Sequence, residues 1–505
     1  MIALLVADEG QPARLRTVCR KLDTKIPAEA CFEILFARQR NSYWLDSSAH
    51  NTRQGRYSFM GDANGPLSEV VSYNVTTGHV RAYSETGASI TQDNIFDFLT
   101  RRMAAIEFAD QCPAPIPFKG GYVGYLGFES KDEPGAENTK SSSQPDAQFI
   151  FADRLVAFDH QTGSAWMVCV VEPGMEDGAK AWFDSVEASL NNSYLVAKPN
   201  FRALDASQAA AAQKWTPQQS VADMIGAFET TRDTLERGSL KDVCIASQWT
   251  TPFQGPALGV YQSLRKSNAA PFGAFLKFQE LKILCCSPER MASISKDRKV
   301  RCEPMKGQAP RGALPVHDED MKLKLSSNQQ LRARNLKVAE LVGSDLRNVC
   351  RMGSIRAEAL CAIESLETGH HMVSRVSAVL KKDENAVSGV RTLFPAGSVI
   401  GAPRPDASKA IDSIEAGARG IFAGSIGYFS LDGSADFNVA MRTVTINNGQ
   451  ASTGTADSIV ALENPAAEIK DIMFRDAAFR DEILGGTPLE FETVIADEPV
   501  SVSAD

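Results

Sequence analysis

The chain has 505 residues, 43% of them apolar and 23% charged, enough to bury a large core in one body or in two to four smaller ones. Its formal net charge of −9 and the lack of a long Lys/Arg run exclude the basic groove that binds nucleic acid and the basic face that binds an anionic membrane. An anionic ligand must therefore meet a locally positive site.

The ten cysteines sit mostly inside apolar runs and form no CxxC pair, so they read as reduced core thiols suited to the cytoplasm. The opening Met1 to Ala7 is too short for a membrane span and runs straight into Asp8-Glu9, so no signal peptide is expected.

In chain order, residues 1–202 mix helical runs (28–37, 93–107) with strand-like ones (67–83, 148–157, 165–171), an α+β pattern. Residues 115–128 carry four glycines among aromatics, but no GK[ST] or GxGxxG-plus-helix context follows. Tight backbone packing is therefore the favoured reading over a phosphate cradle. The polar stretch 130–147 reads as a surface insertion. The Ala/Gln-rich stretch 203–216 divides this N-terminal region from a second one, 217–485.

In the second region, 270–286 alternates like two buried strands and ends at Ser287-Pro288-Glu289-Arg290. Residues 327–348 read as a helix with the apolar stripe Leu331, Val338, Leu341, Val342 and Leu346. Runs 420–431, 437–446 and 450–460 are predicted strands, separated by the turn signals Asp432-Gly433 and Asn447-Asn448-Gly449. With two-residue loops at both turns, Phe422 pairs with Thr443, and Arg442 pairs with Thr455. Arg442 then shares a face with Ala440 and Val444. A guanidinium there needs either an anionic ligand or a buried salt bridge to a core carboxylate. Asn464-Pro465 opens a further helix, on which Glu468 and Asp471 are three apart. They could share a cation, or simply complement the helix N-terminal dipole.

Taken together, the ordered blocks resemble the chorismate-binding family, which includes anthranilate synthase, isochorismate synthase and aminodeoxychorismate synthase large chains. The blocks include Gly120-Gly121-Tyr122-Val123-Gly124-Tyr125, Ser287-Pro288-Glu289-Arg290, Pro304-Met305-Lys306-Gly307, His370-His371-Met372-Val373-Ser374, Phe394-Pro395-Ala396-Gly397-Ser398 and Asp436 to Arg442-Thr443. The resemblance implies large antiparallel sheets packed face to face with helices outside. Lys306 stands where the aminodeoxychorismate-forming members have lysine and the anthranilate synthases have alanine.

On that resemblance the activity is amination of chorismate at C4, in the route to 4-aminobenzoate and folate. Lys306 would be a nucleophile freed of its proton by desolvation and nearby cations. Glu289 would be the general acid and His371 a neutral group near the ring substituents. Arg442 would grip the enolpyruvyl carboxylate beside the Gly454 and Thr455 backbone, with Phe422, Ser398 and Gly427 completing the substrate pocket. The family also implies Mg2+, held by residues including Glu468 and Asp471.

Here the first metal helix reads Gln330-Leu331-Arg332-Ala333-Arg334-Asn335, so both of its acidic positions are gone and Arg334 replaces a ligand. Such a guanidinium would pair with Glu468 and Asp471 and take the metal's place. Asp457 falls in the Gly-rich amide cradle, and Gln308 and Phe422 replace a threonine and a tyrosine of the family. These departures keep a non-catalytic chorismate-binding homologue as an alternative. Lys306 argues against the other alternative, an anthranilate synthase large subunit. No Gly-x-Cys-x-Gly elbow with a later His-x-Glu occurs, so ammonia is expected from a glutamine amidotransferase, as a separate subunit or as a fused domain outside this sequence.

Overall fold

Strands such as Phe272–Phe278 and Leu281–Ser287 are buried at almost every residue, so both of their faces must be covered. In the computed structural model this cover comes from two large sheets packed against each other. The structure describes residues 12–49, 54–131, 140–194, 214–236, 240, 242–459, 465–474 and 476–484. Among these, thirteen strands form one sheet and twelve the other. One shared core cluster joins Tyr43, Phe59 and Leu276 of the first sheet to Tyr125, Ile426 and Tyr428 of the second. The rings of Phe59 and Tyr428 meet edge-on at 5.8 Å, a favoured aromatic geometry.

Helices lie outside this sandwich. Gln329–Val349 buries Val338, Val342, Leu346 and Val349 against the core and turns Leu336, Lys337 and Glu340 to solvent. That is the stripe expected from the sequence, except that Leu331 and Leu341 are only half-buried.

Most of the dividing segment 203–216 lies outside the described residues. Both sheets draw strands from either side of it: Asn41–Asp46 pairs with Phe272–Phe278, and Gly121–Leu126 pairs with Ser425–Ser430. The glycine-rich segment is tight backbone packing, as favoured. A Cβ on Gly124 would stand 1.9 Å from the Gln148 carbonyl oxygen, so no larger residue fits that approach.

Two chain crossings between the sheets create the functional region. Leu281–Ser287 and Thr443–Asn447 are neighbours in the first sheet, whereas Arg290–Ile294 and Ala435–Asn438 are neighbours in the second. The links 288–289 and 439–442 therefore cross side by side. They are tied by Val439 N–H to the Glu289 carbonyl at 3.0 Å and by the Ser287 hydroxyl to the Val439 carbonyl at 2.6 Å. Glu289 sits on one crossing and Arg442 on the other.

This arrangement corrects the hairpin expected from 437–446. Phe429 pairs with Ala435 and Ser430 N–H reaches the Ser434 carbonyl, so the first loop has three residues and not two. The strand then stops at Asn438, Arg442 adopts φ +47°, and Thr443 enters the other sheet. The chain turns out of its first ladder there, so Thr443 pairs with Cys285 and not with Phe422, and Thr455 pairs with Ser247 and not with Arg442. The second turn is as expected: Asn447 pairs with Gln450 around Asn448 and Gly449, both at positive φ.

Candidate functional site

Lys306 lies on Met305–Ala309, which borders Gly369–Val379 with Gln308 opposite His371. Its ammonium is 2.8 Å from Asp457 Oδ1, and the two side chains are only 11% and 13% exposed. Burial alone would draw the amine's pKa down, but Asp457 and, further off, Asp242 outweigh it and hold the amine above its ordinary value. The sequence reading expected cations around this lysine; the described neighbours that set its charge are carboxylates.

Glu289 is buried and its Oε1 accepts from Met305 N–H at 3.2 Å. Burial pushes its pKa up to about 7, although the Ser398 hydroxyl, the Met305 amide and the Lys306 charge pull the other way. A void of about 10 Å³ beside Glu289, Pro304 and Ser398 has room for roughly one water.

His371 is lowered to about 4, first by burial, then by the charge of Arg442 and by His370. It is therefore neutral near pH 7, and its Nε2 is buried with no hydrogen-bond partner among the described residues. Its neighbour His370 faces elsewhere, bonded to Asp318 and Ser365. The Arg442 guanidinium makes no hydrogen bond or ion pair among the described residues. The salt bridge to a core carboxylate that would have explained it without a ligand is thus not among them. A buried imidazole nitrogen and an adjacent guanidinium, both without partners, mark a place for an anionic, hydrogen-bonding ligand.

The remaining candidates divide. Phe422 packs its ring on the Gly454 backbone, where a Cβ would come within 2.4 Å of the ring, so this glycine is required by the approach. The strand Gln450–Ile459 keeps Asp242–Pro252 on one side throughout but loses Thr443–Asn447 after Thr453. Past Thr453 its other edge has no strand partner among the described residues. The Thr455 side chain is already engaged, its hydroxyl donating to the Ile472 carbonyl, so it anchors helix Pro465–Phe474. Gly427 is not brought to Lys306. It lines a different cavity, of about 80 Å³, with Asp46, Arg290 and Asn438.

The side chains of Glu468 and Asp471 lie outside the described residues. On helix Gln329–Val349 Arg334 is half-buried and its charge reaches Asp242, while Leu331 packs beside Leu325 and Met372. A guanidinium and an isobutyl group offer no lone pair to a hard cation, so these two helix positions supply magnesium with no ligand.

Sequence reasoning missed two contributors. Asp242 opens an apolar strand and reads as a turn acid, yet its Oδ1 is buried without a partner near Lys306. Asn335, fully buried, donates to the carbonyls of Lys306 (3.2 Å) and Met372 (2.8 Å) and accepts from Ser374. It ties the helix to both site strands. Asn335→Leu is expected to lower stability by about 2–4 kcal/mol in denaturant unfolding, because it strands several buried polar groups at once.

A family model described as chorismate binding enzyme matches residues 41–476. An aminodeoxychorismate synthase from Streptomyces griseus is 32% identical over 474 residues, covering 93% of this chain; the chain spans only 65% of that protein's length. Anthranilate synthase component 1 from Pseudomonas putida is 29% identical over 457 residues, 88% of this chain and 90% of its own. The crystal structure of anthranilate synthase component I from Streptococcus pneumoniae has the same fold, with a TM-score of 0.70 at 22% identity over 85% of this chain and 93% of that one.

Proposed function

The chain belongs to the family of chorismate binding enzymes, and from that membership we propose that it aminates chorismate at C4 to 4-amino-4-deoxychorismate, using ammonia from a glutamine amidotransferase. The product leads to 4-aminobenzoate and folate. The observations that carry this reading are two pairs on neighbouring elements: His371 Nε2, without a hydrogen-bond partner among the described residues, beside the Arg442 charge, and the Glu289 carboxyl, poised near neutrality, beside the buried Lys306 amine.

In the proposed reaction Arg442 takes a substrate carboxylate and neutral His371 hydrogen-bonds the ring substituents. The Lys306 amine, having lost its proton, forms a bond to ring carbon C2 as the C4–oxygen bond breaks. Glu289 gives its proton to the departing hydroxyl, which leaves as water. Ammonia then bonds to C4 and expels the lysine amine, restoring the enzyme. No step is routed through a metal ion. The ten free cysteines suit a reducing cytoplasm, and no described helix is long and apolar enough to cross a membrane.

The test is to incubate the protein with chorismate, magnesium and an ammonium salt and identify the product by mass. A 4-amino product supports the proposal and anthranilate contradicts it. Unchanged chorismate would favour a chorismate-binding protein without activity, the reading that the altered metal helix around Arg334 supports.

Two further outcomes follow from the site. The acid form of Glu289 is lost as pH rises through about 7, so kcat should fall on the alkaline side near that value. Glu289→Gln should remove this limb and ~10²–10⁴ of the rate, read in a pH–rate profile. Because Arg334 stands where a metal ligand would, calorimetry should give the same chorismate affinity with magnesium and with chelator. Strict dependence on the ion would contradict the replacement.

A further inference from the structure

Asp457 is an acid inside a strand otherwise made largely of small and hydroxyl residues, where the family has its amide cradle. It stands opposite Ile245 in the ladder between Gln450–Ile459 and Asp242–Pro252. Its Oδ1 accepts both from the Ser458 amide at 2.7 Å and from Lys306 Nζ at 2.8 Å, so a backbone bond holds in place the oxygen that meets the amine. Exposed pairs of this kind contribute little, but these two side chains are nearly buried.

We propose that Asp457 is a positioning residue that clamps the Lys306 amine in the resting site and sets the pH at which it becomes a nucleophile. This rests on the reading of Lys306 as the attacking amine.

The groups facing Lys306 make the direction definite. From the two paired strands come Asp457, Asp242 and Cys244, and from the chain crossing comes Glu289. The Cys244 thiol is pushed up to about 11 by burial and so carries no charge near neutrality. Burial also raises Asp242, which acts on Lys306 through its charge alone and also interacts with Lys337, the Ser458 hydroxyl and Arg334. Asp457 is thus the carboxylate in direct contact. Before the nitrogen–carbon bond can form, one proton must leave Nζ. Asp457 Oδ1 lies within hydrogen-bond distance to accept it, leaving a neutral acid and a free lone pair. With Asp457 neutralised, both its charge and its hydrogen bond no longer hold the proton against burial, and the amine loses it at lower pH.

The experiment is reductive dimethylation with formaldehyde and an amine–borane, which modifies only unprotonated amines, on the full chain from about pH 7 to pH 12, a range that spans the ordinary lysine value and the raised one. Peptide mass spectrometry follows Lys306, with exposed Lys324 as internal reference. Asp457→Asn is expected to move the midpoint of Lys306 labelling down by at least about one pH unit, roughly a tenfold gain in rate at pH 8. Asp457→Ser should do the same, so that one poorly folded variant does not decide the matter, and Asp457→Glu should keep the wild-type midpoint. A midpoint unchanged in both neutral variants would overturn the clamp. The amination assay separates the two readings: a shifted midpoint in a protein that never aminates chorismate leaves the clamp standing and overturns the function, whereas amination with no shift overturns the clamp alone.

Discussion

Lys306→Met is expected to lower amination of chorismate by at least ~10⁴-fold in kcat, with chorismate binding largely kept, because the variant removes the protein atom that bonds to the ring. A buried lysine also neutralises its surroundings, and methionine leaves Asp457 and Asp242 without that charge. Lys306→Arg separates the two roles. Arginine keeps a positive charge for Asp457 yet never offers a free lone pair, so it should fold like wild type and stay inactive. Recovery of activity in the arginine variant would mean that the charge, and not the nucleophile, is what the reaction uses. Initial rates together with an equilibrium titration of chorismate resolve these cases.

The second large effect is expected at Arg442, on KM and not on kcat. Truncation to alanine removes charge-assisted hydrogen bonds to a carboxylate, and KM should rise ~10²–10³-fold, about 3–4 kcal/mol. Arg442→Lys should recover part of this, since a point charge cannot make the forked contact. The backbone supplies an independent check. At φ +47° a non-glycine residue carries about 1 kcal/mol of left-handed strain. Arg442→Gly relieves it and offsets glycine's greater chain entropy, so its melting temperature should stay close to wild type while chorismate binding is lost. A large fall in melting temperature would instead make Arg442 a structural residue.

The sequence made much of this visible where local rules decide the outcome. The Asn448-Gly449 turn, the outer helix and the buried strands around 272–287 follow from periodicity and turn chemistry, and the structure has them in place. The first hairpin was legible only as a turn near Asp432-Gly433, with neither its loop length nor its second strand. Whether 437–446 is one strand or two depends on a second sheet competing for Thr443–Asn447, and nothing local encodes that competition. The crossing it produces is what places Arg442 beside His371. Lys306 was legible as a residue but not in its surroundings, because Asp242 and Asp457 meet it only after strands more than 200 residues apart have paired. Gly427 carried the family pattern yet lines another cavity, while Thr455, expected to offer its backbone, has its hydroxyl on a helix carbonyl.

Withholding ammonia tests the central chemistry most directly. Protein incubated with chorismate alone should accumulate a covalent adduct, equal to chorismate less one water, on the peptide that carries Lys306, and adding ammonium should discharge it as the 4-amino product. An adduct on any other residue, or turnover with ammonium while Lys306 stays unmodified, would contradict the account.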